Sequence, residues 1–194
     1  MRRVPIIPTI VVGVAVAIMI ALGLWQLVDR LPKKEAFLRQ LAANPAKPPI
    51  DFARAEGDDF LFRRATGRCD PPVAVRLAGA GAAGYRAIAT CAGRITVQLG
   101  TTRDPNARPA WGGGTVSGTV AHAPSGQSLI GAAFSPEAPA LMLVAAPPVA
   151  GLRPSPTSSV DSIPNNHLAY AGQWFFFAAV AAIIYALALR RRRR

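Results

Sequence analysis

Side chains that perform chemistry are scarce in this sequence. Two histidines, two cysteines and ten acidic residues stand among 194 residues. His122 and His167 are far apart in the chain, and no serine or cysteine occupies a nucleophile elbow. Hydrolytic chemistry therefore has no visible constellation. A copper-delivery site needs closely spaced cysteines with a soft ligand beside them, which Cys69 and Cys91 lack. No internal repeat of useful length occurs. Gly79-Ala80-Gly81-Ala82-Ala83-Gly84 matches G-x-G-x-x-G. A dinucleotide site, however, needs a helix after the last glycine, and the residues from Tyr85 onward alternate as a strand. The glycines read as a strand connection. These absences argue against an enzyme and for a protein that works by binding.

Charge is missing from two stretches. Residues 6–24 and 168–189 hold no Asp, Glu, Lys or Arg. Each is about 20 residues, the length a helix needs to cross a hydrocarbon core about 30 Å thick. The net charge of +12 is placed around them: Arg2 and Arg3 precede the first run, and five arginines, 190–194, follow the second. Arginine-loaded flanks stay on the cytoplasmic side, and both ends satisfy that rule together. The arginine tail thus reads as a stop-transfer anchor beside the lipid bilayer, with no nucleic-acid partner. The first run exceeds the apolar core of a signal peptide and is followed by Trp25, so it reads as a retained anchor. The expected plan is a cytoplasmic tail 1–5, a transmembrane helix 6–27 and a periplasmic domain 28–166. A second transmembrane helix 167–189 and a cytoplasmic tail 190–194 complete it, in the cell inner membrane.

Between the spans, Phe37, Leu38 and Leu41 form one apolar face of a short helix over 33–43, with Pro32 in its first turn and Asn44-Pro45 ending it. A proline-rich linker, 46–49, follows. From Phe60 the apolar period becomes two. Strands are expected over 60–66, 72–77, 85–91, 94–99 and 115–120, with further apolar runs at 129–132 and 141–145. Ala92-Gly93 has the length and the glycine of a tight hairpin. The fold class is α+β: two transmembrane helices flanking a β-rich domain, an antiparallel sheet or small barrel. Cys69 and Cys91 each end an expected strand in an oxidising compartment. They read as a disulfide, ahead of two buried thiols or a metal site.

The segment entering the second span is the most informative. Asn165 or Asn166 is placed to cap the helix. His167, Tyr170 and Trp174 follow at i, i+3 and i+7, so their rings share one face. One reading is an aromatic belt with an interfacial histidine; the other is an axial ligand offered to haem iron. The spans also mirror each other, the first leaving through Trp25-Gln26 and the second entering through Gln173-Trp174. With Gly23 and Gly172 beside the amides, the spans are expected to pack here. Gln26 and Gln173 are then expected near each other or sharing a bound group.

Residues 165–177, Asn-Asn-His-Leu-Ala-Tyr-Ala-Gly-Gln-Trp-Phe-Phe-Phe, and residues 22–27, Leu-Gly-Leu-Trp-Gln-Leu, resemble the two signatures of the Surfeit locus family of cytochrome c oxidase assembly factors. Lys33 or Lys34, the stretch 62–68 and Gly84-Tyr85-Arg86 are weaker similarities. Gly100-Thr101-Thr102-Arg103 departs from the family's Arg-Gly-Trp turn, and the cysteines are not a family feature. The resemblance implies a non-catalytic factor that binds or presents haem a during maturation of the oxidase catalytic subunit, its partner. The haem a biosynthesis enzyme is admitted as a second partner. It ties His167 to haem, with Tyr170, Gln173, Trp174, Trp25 and Gln26 around it. The rival readings are a membrane-tethered scaffold that never touches haem and a membrane-anchored periplasmic enzyme.

Overall fold

The computed structural model describes residues 5–92, 95–125, 131, 134, 139–149 and 151–193. The chain divides into two compact units: Met1–Leu38 with Ile163–Arg194, and Arg39–Ser162.

The first unit is built from helices. Helix α1 covers Ile6–Trp25, a π-helical turn covers Gln26–Arg30, and helix α2, Leu31–Ala43, follows directly. Helix α3 covers His167–Arg193. Two helical runs, containing α1 and α3, are long and apolar enough to cross a membrane, and only 6% of each apolar window is buried within the chain. Such apolar surface requires cover from outside the chain. α1 and α3 pack on each other. The expected break before the short helix is absent. Pro32 sits second in α2, and its ring would press on the carbonyl of Val28 in a regular α-helix. The π turn spans Val28, and Leu31 N–H bonds to the Gln26 carbonyl, five residues back. The wider turn carries the helix past the proline.

The second unit is a seven-stranded sheet in the order β1-β2-β6-β7-β5-β4-β3. Its strands are β1 Ile50–Asp51, β2 Arg64–Cys69, β3 Ala74–Gly79, β4 Tyr85–Thr90, β5 Thr96–Thr102, β6 Gly114–His122 and β7 Leu141–Ala145. Alternation positions β2 cleanly: Ala65, Gly67 and Cys69 face the core while Arg64, Thr66 and Arg68 face out. The same core face collects Ala89, Val97, Leu99, Val116, Val120 and Leu143.

Two expectations are corrected, and that of a strand connection at the glycines 79–84 is met. The sheet is mixed and open, neither purely antiparallel nor a barrel. β1 pairs β2 and β5 pairs β7 in parallel, because β7 inserts between β6 and β5. A period of two marks strands and is blind to their order. The alternation from Phe60 is not a strand before Arg64: Asp58–Phe60 is a 3-10 turn, and Phe62 is buried at a positive φ of 63°. Those aromatics fill the core from a turn. Gly81–Ala83 forms a 3-10 turn joining β3 to β4, so no helix follows the glycines. The run 129–132 lies outside the described residues except for Gly131, as do Gly93 and Arg94 of the hairpin.

Gly100 shows why one glycine cannot be exchanged. It has φ 152°, and a Cβ there would come within 2.7 Å of the Arg153 carbonyl. The close approach lets Thr101 and Arg153 exchange two 2.9 Å backbone bonds, tying the following loop to the sheet. Within the second unit, buried Asn44 fixes the segment that leads to β2. Its Nδ2 donates to the carbonyls of Asp59 at 2.7 Å and Leu61 at 2.8 Å, and its Oδ1 accepts from Lys47.

Cys69 and Cys91 form a disulfide, with Cα atoms 5.2 Å apart and both residues buried. It joins the end of β2 to the residue after β4 and closes a loop with a sequence separation of 22. Chain entropy for a loop of this size corresponds to about 3 kcal/mol. The Cys69→Ala/Cys91→Ala variant is therefore expected to lose about that much stability. The check is denaturant unfolding of the full chain in detergent, read by the fluorescence of Trp111 in a background with Trp25→Phe and Trp174→Phe, with the same background protein under reducing conditions moving the same way.

Candidate functional site

The packed faces of α1 and α3 can be read from exposure. On α1 the less exposed residues are Thr9, Val12, Val16, Met19, Leu22 and Gly23, and Gln26 follows in the π turn. On α3 they are His167, Ala171, Trp174, Phe175, Ala178, Ala181, Tyr185 and Leu189. Each set contains a row that steps by three and four, 9-12-16-19-23-26 and 167-171-174-178-181-185, the spacing of a coiled-coil seam. Ala171 and Ala178 are 1% and 4% exposed. Small residues let helix backbones approach where lipid supplies no hydrophobic force between them.

A polar contact closes each end of this seam. Thr9 Oγ1 and the Tyr185 hydroxyl are hydrogen-bonded at one end. At the other, His167 Nδ1 lies 2.8 Å from Gln26 Oε1. Thr9 and Gln26 are about 26 Å apart along α1, and His167 and Tyr185 about 27 Å along α3, at 1.5 Å per residue. The two contacts are thus matched in spacing, and all the seam residues between them are apolar.

Gln26 is reached in a specific way. It opens the π turn, and such turns recur at functional sites. One turn earlier, Gly23 is buried, and a Cβ there would come within 2.6 Å of the Phe175 ring. The absence of a side chain at 23 allows the approach that brings Gln26 to His167. Gly172 has open space around its Cα, so it does not serve the close approach expected of it.

The remaining site residues are distributed around this contact. Gln26 takes His167 as its partner, and the exposed Gln173 side chain makes no hydrogen bond among the described residues, so no amide–amide bond joins Gln26 and Gln173. Trp174 is half-buried on the seam. Tyr170 is 51% exposed, and so does not share the seam with His167 and Trp174. At about 100° per residue Tyr170 lies about 60° around the helix from His167, whereas Trp174 lies about 20° from it and Tyr185 almost directly in line. Trp25 is 43% exposed and carries the Arg30 guanidinium 4.6 Å from its ring centroid. Asp29 pairs with Lys33 one turn on. Asn165 does not cap α3: its Oδ1 is buried and accepts no hydrogen bond. The Asn166 carbonyl accepts the Tyr170 N–H instead.

The sequence pointed to His167 through its flanking motif but did not pair it with Gln26. The signal that finds the pair is the matched three-four spacing of the two apolar helices, anchored at Thr9 and Tyr185. Elsewhere His122 Nε2 meets Asp58 Oδ1 at 2.8 Å on the surface of the sheet unit. No cluster of three metal-ligating side chains occurs among the described residues. A 300 Å³ cleft between Val144 and the loop at Pro154–Ser158 carries no titratable side chain.

A family model described as the SURF1 family matches residues 13–179. No curated protein and no solved structure matches the chain.

The two glycines give opposite expectations. Gly23→Ala forces Phe175 or the helix to move, and overpacking of this kind costs about 1–3 kcal/mol. Gly172→Ala enters open space and is expected to change stability by less than about 1 kcal/mol. Thermal unfolding of the two variants in one detergent, followed by far-UV circular dichroism, checks the contrast.

Proposed function

The chain belongs to the SURF1 family, which is associated with cytochrome c oxidase assembly, and from that premise we propose that it binds haem a through His167 and presents it to the catalytic subunit of the oxidase. The observation that carries this reading is the state of the His167 ring. Its Nδ1 is engaged by Gln26, and its Nε2 has no partner among the described residues. A ring held at one nitrogen and open at the other is the arrangement of a metal-binding histidine. The fit extends to the surroundings. Buried Asn165 Oδ1, two residues before His167, has no donor, and Gly172 leaves space uncovered on α3. Trp174 and exposed Tyr170 add aromatic surface on the same helix. Bound haem would supply a redox-active iron; the protein's part is to bind and orient it.

The proposed setting is the cell inner membrane, with both termini in the cytoplasm and the sheet unit in the periplasm. The arginines flanking both spans support it through the positive-inside rule, and a disulfide is stable in the periplasm. Trp25 with its Arg30 partner suits the membrane interface, where an indole lies between apolar and polar layers. The proposed partners are the oxidase catalytic subunit and the enzyme that makes haem a. The proposed mechanism is non-catalytic.

Two measurements check this. In cells that make haem a, His167→Ala is expected to lower the haem content of the purified protein at least tenfold at unchanged protein level, and to lower oxidase activity. Full haem loading of that variant removes the ligand role. For orientation, an alkaline-phosphatase fusion near Gly126 is expected to be active and one after Arg194 inactive; the reverse pattern refutes the topology.

A further inference from the structure

We infer that Gln26 is the positioning residue of this site: its amide fixes which His167 nitrogen carries the proton and holds Nε2 free as the metal-binding atom. The inference rests on the proposed haem role of His167, and concerns a residue on the other helix.

A neutral imidazole has one N–H and one lone pair, and the partner of one nitrogen decides the role of the other. Gln26 Oε1 lies 2.8 Å from His167 Nδ1. A carbonyl oxygen only accepts, so Nδ1 donates and the lone pair resides on Nε2. Without an acceptor at this place the ring would divide its population between two tautomers, and one of them carries a proton on Nε2. Gln26 also limits ring rotation, because turning the imidazole breaks the bond.

Three features of the chain place this acceptor. The π turn opens at Gln26, with Pro32 imposing the wider winding. Gly23 allows the close approach against Phe175. The Thr9–Tyr185 contact fixes the sliding register of the two helices from the far end. An amide is also suited to the position. It provides a strong acceptor without a charge, where a charged side chain at the membrane boundary would carry a larger desolvation cost.

The test compares wild type with Gln26→Leu, which removes the acceptor, and Gln26→Glu, which strengthens it. The haem-free full chain in nanodiscs, labelled with 15N-histidine, has only two histidines to resolve, and His167→Ala assigns them. Wild type is expected to show His167 protonated on Nδ1, and Gln26→Leu to show both tautomers. Titration with haem a is expected to be weakened about 10–100-fold in Gln26→Leu, as for other partners of metal-binding histidines. The reduction potential of the bound haem is expected to rise in Gln26→Leu and to fall in Gln26→Glu, because a stronger acceptor on Nδ1–H makes the ligand more basic. Opposite shifts from two variants at one position are not produced by a loss of packing. An unchanged tautomer in Gln26→Leu overturns the inference. So do equal affinities and potentials in all three proteins while His167→Ala loses its haem. Retention of haem by His167→Ala instead overturns the ligand reading itself, and this inference with it.

Discussion

Close packing of α1 against α3 is the constraint on which the helical unit and its site depend. Two apolar helices in hydrocarbon gain nothing from hiding apolar surface, since the lipid tails are equally apolar. What holds them is van der Waals contact at short range and hydrogen bonds whose alternative is an unpaired polar group in lipid. This chain uses both. Gly23, Ala171, Ala178 and Ala181 bring the backbones together, and the Thr9–Tyr185 and His167–Gln26 contacts close the ends. Each interhelical bond is worth only about 0.6–2 kcal/mol. Their value lies in position: two fixed points about 26 Å apart define the register of the whole seam.

The second constraint is the proline just beyond the seam. A regular α-helix through Pro32 would strain against Val28, and one solution is to break the helix. The chain instead widens one turn, so the helical winding continues from α1 into α2. That widening begins at the residue that meets His167. The same turn sets Arg30 over Trp25 and Asp29 beside Lys33, so its polar residues find partners at the end of the apolar run. One imino acid thus links sequence to helix geometry, and helix geometry to the placement of a single amide.

The degree to which this was readable beforehand varied with the range of the interaction. Apolar length and terminal arginines gave the two long helices, because those signals are local. Period-two alternation gave the strand segments 72–77, 85–91, 94–99 and 115–120, and a short apolar run gave 141–145, to within a few residues of β3 to β7. It could not give the insertion of β7 between β6 and β5, which depends on pairings among strands distant in sequence. Phe60, Leu61 and Phe62 read as the start of a strand because an apolar run that plugs a core from a turn looks the same in sequence as one that enters a sheet. At the site, the mirror of Trp-Gln and Gln-Trp suggested amide against amide. Helix rotation decided otherwise: Gln173 falls off the seam that His167 and Trp174 share. Gly23 and Gly172 looked equivalent as letters and differ entirely in surroundings.

The choice of a neutral amide to hold His167 has a consequence for how the site works on the proposed reading. A carboxylate in the same place would bind the ring more strongly and would itself be charged at the membrane edge, where an unpaired charge is expensive once its partner moves. It would then resist any rearrangement of the ring. An amide–imidazole bond contributes less, and leaves two neutral groups when it breaks. A protein that presents a cofactor to another must hold it in a defined orientation and still release it. A carrier of that kind is served by a contact that specifies direction at small energetic cost. Gln26 against His167 has those properties, and the close packing at Gly23 supplies the rigidity that so weak a bond does not.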